Sequence, residues 1–144
     1  MKVLAFEVML LAVYASADIF SALDKAPLVK QEQAGDLTGI YTVKGQETGG
    51  KGYGGICVVS RKSEVYLFQW MVGTSGSAFT GIGVRQGDVI AVAWALPTEK
   101  GIARGVNVYR IESKKLTGRW ASMPGTGALQ TEVLTWLKDV EEDE

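Results

Sequence analysis

The chain has 144 residues, 47% hydrophobic and 22% charged, with a formal net charge of −1, one cysteine and no histidine. That length suits one domain with a core of its own. The composition excludes an intrachain disulfide, a multi-cysteine zinc site, and imidazole-based nucleophile or metal chemistry.

Charge is unevenly placed. Five of the 16 acids fall in the last six residues, so 139–144 reads as a solvated acidic tail on a mildly basic body. The bases are dispersed singly or in pairs such as Arg61-Lys62 and Lys114-Lys115, which excludes a nucleic-acid stripe. Eighteen glycines without a fixed period point to tight turns and close strand crossings.

At the N-terminus, Met1-Lys2 is a short positive region, Val3 to Tyr14 is mostly apolar, and Ala15-Ser16-Ala17 forms an A-x-A pattern. Residues 1–17 therefore read as a signal peptide with Asp18 the first mature residue, which makes the protein secreted or periplasmic. Glu7 interrupts the apolar stretch, and the alternative is an amphipathic helix packed on the domain. The stretch is too short for a transmembrane span, which needs about 20 apolar residues. Residues 18–36 mix apolar and polar types around Pro27 and read as a tether.

From Leu37 the chain alternates strand patterns with turn residues. Strands are predicted over Gly39–Lys44, Tyr53–Arg61, Val65–Val72, Ala78–Arg85, Val89–Leu96, Gly105–Glu112, Leu116–Ser122 and Thr131–Lys138. The turns lie at Gly73–Gly76, Gln86-Gly87-Asp88, Pro97–Gly101 and Ser113-Lys114-Lys115. With no helix-length segment between strands, parallel crossovers are excluded. The fold class is all-β, an eight-stranded, mostly antiparallel up-and-down barrel over residues 37–138, closed so that no edge is left exposed. One motif is reused around it, a large apolar residue followed by Thr-Gly: Leu37-Thr38-Gly39, Phe79-Thr80-Gly81 and Leu116-Thr117-Gly118.

The period of two assigns faces. Tyr66, Phe68, Trp70 and Val72 share one face, opposite Val65, Leu67, Gln69 and Met71. Ile90, Val92, Trp94 and Leu96 lie opposite Val89, Ala91, Ala93 and Ala95. Both faces of these two strands are apolar, which predicts that they are central or covered outside by the N-terminal segment or another subunit. Val106, Val108 and Arg110 oppose Asn107, Tyr109 and Ile111, a half-polar pattern typical of a wetted outer face.

Catalytic groups are sparse. Cys57 sits mid-strand in Ile56-Cys57-Val58-Val59 and reads as a small buried hydrophobe. Asp88 and Glu112 belong to turns, whereas Glu132 shares a face with Leu134 and Trp136 and is a candidate inward carboxylate near a barrel end. The segment Gly45–Gly55 has phosphate-loop spacing, but Gly52 stands where Ser or Thr must bind magnesium and a strand follows, so it reads as a hairpin loop beside a barrel mouth. No cofactor and no metal site is expected.

The residues Gly39-Ile40-Tyr41, Tyr53-Gly54-Gly55, Tyr66 to Trp70, Phe79 to Gly83, Gly87 to Val92 and Leu116 to Trp120 form a pattern that resembles small exported bacterial proteins of calycin-like barrel type. Some of these are labelled fibronectin-binding proteins. It is also similar in outline to lipocalins and avidins, with Tyr41 where their first strand carries Trp. The resemblance implies a barrel and transfers no binding residue.

Three functions remain. The first is an exported, non-catalytic binding module for a small apolar ligand or an extracellular protein. The second is a structural or envelope-associated domain with a filled barrel, and the third an enzyme using carboxylates or a bound metal. For a ligand, concave barrel mouths pair apolar walls with a few polar groups. That rule nominates Tyr41, Trp70, Trp94 and Trp120 as walls, Glu132 as the inward carboxylate and Gly49–Gly55 as a rim. The interior is expected to be largely filled, with a shallow pocket at one end.

Overall fold

A computed structural model describes residues 35–74 and 76–141. The stretch read as a signal peptide, the stretch read as a tether up to residue 34, and residues 142–144 lie outside the described residues. What is described is a closed barrel in which each strand pairs with its sequence neighbours and the last pairs back to the first. The strands are β1 (Gly39–Gln46), β2 (Gly52–Lys62), β3 (Val65–Val72), β4 (Ser77–Gln86), β5 (Val89–Thr98), β6 (Gly101–Glu112), β7 (Lys115–Met123) and β8 (Gln130–Lys138). All pairings are antiparallel, and closure of β1 on β8 leaves no open edge.

The longest departure from the sequence reading is at the β5–β6 hairpin. Both strands run on past the predicted Pro97–Gly101 turn, with Pro97 paired to Ile102 and Thr98 to Gly101. Proline is tolerated there because β4 pairs with β5 only up to Ala95, so beyond it one side of β5 requires no N–H donor.

Alternation fills the interior as the period of two requires. Cys57, Val59, Phe68, Ile90, Val92, Tyr109, Leu116 and Leu134 are fully buried, and burial of each large apolar side chain contributes about 1.5–3 kcal/mol. Phe68 stacks on Trp70 at 5.3 Å and on Tyr109 at 6.3 Å between ring centroids. The N-terminal segment named as a cover lies outside the described residues, and on the opposite faces of β3 and β5, Met71, Ala91 and Ala93 are exposed. Ile82, Val84, Val106 and Val108 are exposed beside them, with Ile82 paired to Ala93 and Ala93 to Val106.

One end of the barrel is closed by the residues entering β1. Leu37 is buried there, the Tyr41 hydroxyl donates to its carbonyl at 2.7 Å, and the Tyr66 hydroxyl donates to Asp36 at 3.0 Å. Arg85 donates to the Gly35 carbonyl at 2.6 Å. Burial alone would raise the Asp36 pKa, but hydrogen bonds from Thr38 and Tyr66, and from the backbone of Thr38 and Leu37, hold it below the usual carboxylate value. The opposite end, between the β1–β2 loop and the β3–β4 turn, is open.

Candidate ligand pocket

The open end leads into a cavity of about 480 Å3. Trp70, Phe79, Trp94 and Trp120 wall it, Glu132 and Asn107 lie among its lining, and Glu47 and Lys51 come from the β1–β2 loop. The rings meet edge to face: Phe79 and Trp94 at 5.2 Å, Trp94 and Trp120 at 6.2 Å, and Trp120 and Tyr53 at 6.3 Å. Aromatic pairs favour such geometry.

Glu132 is 4% exposed, and its surroundings follow from one row of strand register. Tyr53 on β2 pairs with Gly45 on β1, and Gly45 pairs on its other side with Glu132 on β8. Continuing around the barrel, Glu132 pairs with Gly118 on β7, and Gly118 with Tyr109 on β6. A tyrosine therefore lies two strands away from the carboxylate on each side, with a glycine between. A Cβ on Gly45 would overlap the Tyr53 ring, and one on Gly118 would overlap the Val108 carbonyl and the Tyr109 ring. The missing side chains let each phenol cross its neighbouring strand and reach Glu132.

The Tyr53 hydroxyl donates to Glu132 Oε2 at 2.7 Å, and the Tyr109 hydroxyl donates to Oε1. Asn107 Nδ2 donates to Oε1 at 3.3 Å, and its amide is oriented by Trp94 Nε1, which donates to Asn107 Oδ1 at 2.8 Å. Trp70 and Trp120 carry buried indole nitrogens that close no hydrogen bond, although the first lies near the Glu132 carboxylate and the second near the Tyr53 hydroxyl.

Burial pushes the Glu132 pKa above the ordinary carboxylate value, against the pull of Tyr109, Tyr53 and Trp70, which favour the charged form. Burial first, and the carboxylate second, push the Tyr53 and Tyr109 phenols upward, so both remain protonated donors. Burial also pushes the Cys57 thiol up, in keeping with a packed side chain rather than a thiolate. Among the described residues no group of three or more acidic or cysteine side chains is placed to hold a metal ion.

The structure thus brings together Trp70, Trp94, Trp120 and Glu132, along with Lys51 to Gly54 of the nominated rim. Tyr41 does not join them. It pairs with Cys57 and Trp136 in the closed half, where burial pushes its hydroxyl up to about 12, so it is a core residue and not a pocket wall. The outer face of β6 is wetted as expected, with Val106, Val108 and Arg110 exposed, whereas Asn107 and Tyr109 point inward, at 3% and 0% exposure. Neither those two nor Tyr53 and Phe79 stood among the residues nominated as pocket walls.

Fold and pocket define a closed eight-stranded antiparallel barrel with one open, aromatic-walled end. No family model matches the chain, and no curated protein matches it. The barrel is similar to solved structures of designed proteins. One is the redesigned β-barrel mFAP1 bound to DFHBI, at a TM-score of 0.52 and 18% identity over 69% of this chain and 94% of that one. Another is EF1p2_mFAP2b bound to DFHBI, at a TM-score of 0.52 and 17% identity over 70% of this chain and 94% of that one. These likenesses concern the fold.

Proposed function

We propose that this barrel is a non-catalytic binding module that takes a small, mainly apolar ligand into its open end. The observation that carries the reading is the cavity itself: about 480 Å3 of space walled by aromatic rings, with one carboxylate held in place by three donors. Pockets for small molecules have this make-up, apolar walls with a few fixed polar groups. The two designed barrels of similar fold described above are bound to DFHBI, which supports the reading by analogy. Export rests on Ala15-Ser16-Ala17, and a kinship with exported bacterial barrels rests on the strand motifs.

A second reading, a partner protein on the outer wall, is favoured by the exposed Ile82, Val84, Val106 and Val108. That reading leaves the cavity unused, and the Trp120→Phe variant separates the two. The Trp120 indole nitrogen makes no hydrogen bond, so its loss is cheap, while the smaller ring withdraws apolar wall from the cavity. With the neutral fluorescent probe N-phenylnaphthylamine, the wild type is expected to show saturable one-to-one binding. Trp120→Phe should weaken it about fivefold, the equivalent of about 1 kcal/mol of apolar contact. Absence of saturable binding, or an affinity indifferent to Trp120, would favour the outer wall.

A further inference from the structure

We propose that the pocket selects organic cations, ligands with a flat apolar body and an ammonium or amidinium end that sits at Glu132. This rests on the pocket being a small-ligand site and specifies what it takes. Among the described residues the ion pairs are Arg110 with Asp88 and Lys138 with Glu141, so Glu132 is a buried acid with no cation at its side. Its hydrogen bonds all come from neutral donors, Tyr53, Tyr109 and Asn107. A carboxylate offers about four acceptor positions; three take these bonds, and the one other donor near it is the neutral Trp70 indole N–H, so no cation meets the charge from within the protein.

The rest of the lining has the same preference. Lys51 and Glu47 offset each other at the mouth, so the net charge of the lining is that of Glu132. Trp70, Trp94 and Trp120 line the cavity, and tryptophan rings are the best cation–π partners among side chains. A neutral ligand that seals the mouth shields Glu132 from solvent and returns at most a neutral hydrogen bond. An anion adds repulsion to that loss. A ligand with a positive end offers Glu132 a charge-assisted hydrogen bond, about twice as strong as a neutral one.

Isothermal titration with three probes of nearly equal shape tests this: phenylpropylammonium, phenylpropanol and phenylpropanoate at neutral pH. The ammonium is expected to bind at least tenfold tighter than the alcohol, a difference of about 1.4 kcal/mol, with the propanoate weakest. In Glu132→Gln the preference should shrink to about twofold or less while the alcohol still binds. Should that variant not fold, the wild type alone decides, because ammonium affinity must fall as pH drops through the raised Glu132 value while alcohol affinity stays level. Equal or tighter binding of the alcohol overturns the cation preference and leaves the pocket standing. Binding of none of the three overturns the pocket reading and this inference with it.

Discussion

Replacing Glu132 with leucine is expected to destabilise the barrel by about 2–4 kcal/mol, because it leaves the buried Tyr53 and Tyr109 hydroxyls without their acceptor and Asn107 Nδ2 with the Tyr109 hydroxyl alone. For a domain of this size that is a fall of about 10 °C or more in Tm. Leucine matches the apolar core around it, so a rule based on hydrophobicity alone gives the opposite sign. Glu132→Gln retains an acceptor oxygen and should cost about 1 kcal/mol or less. The two variants also separate by pH. Burial raises the folded-state pKa of Glu132 above its unfolded value, so the stability gained from its protonation is complete below the unfolded pKa and is lost as pH rises through the folded one. Chemical unfolding should therefore show the wild type gaining on Glu132→Gln as pH falls from neutral toward the ordinary carboxylate range. A pH-independent difference, or a leucine variant as stable as the wild type, would contradict the role of the carboxylate as the centre of the polar row.

Gly118→Ala is the second large effect. A Cβ there would overlap the Val108 carbonyl oxygen, which belongs to the paired strand and cannot swing aside, and the Tyr109 ring, which must leave Glu132 to make room. Overpacking of this kind costs about 1–3 kcal/mol, and the lost Tyr109 hydrogen bond brings the expected total to about 3 kcal/mol or more. Gly52→Ala is the matching control. Its added methyl would approach nothing closer than the Gly45 carbonyl at 3.8 Å, so its stability should stay within about 0.5 kcal/mol of the wild type. Equal unfolding midpoints for the two variants would show that the glycine row is not what admits the tyrosines.

The same row explains which parts of the site were legible in the sequence. Strand existence and face were readable because the period of two is local: Trp70, Trp94 and Glu132 each sit on the apolar face of their own strand. Height along the barrel is not local. It is fixed by register across strands, and that is why Tyr41, on a correct inward face, lies in the closed half rather than at the mouth. Asn107 and Tyr109 were missed for a different reason. On β6 the polar set points in and the valines point out, the reverse of the usual alternation, because the interior at that level holds a carboxylate that needs donors. The repeated Thr-Gly motif was visible, and the register supplies its meaning: Gly118 is the space through which Tyr109 reaches Glu132.

The most direct measurement is a nitrogen-15 correlation spectrum of the indole N–H groups during titration with N-phenylnaphthylamine. The chain has four tryptophans, of which Trp70, Trp94 and Trp120 line the cavity. Trp136 packs on Gly39 near the closed end, under the Lys114 ammonium at 3.7 Å from its ring. A ligand seated in the barrel mouth shifts the three cavity signals and leaves that of Trp136 in place. Indole signals that do not move, or a Trp136 signal that moves as far as the others, would contradict the pocket.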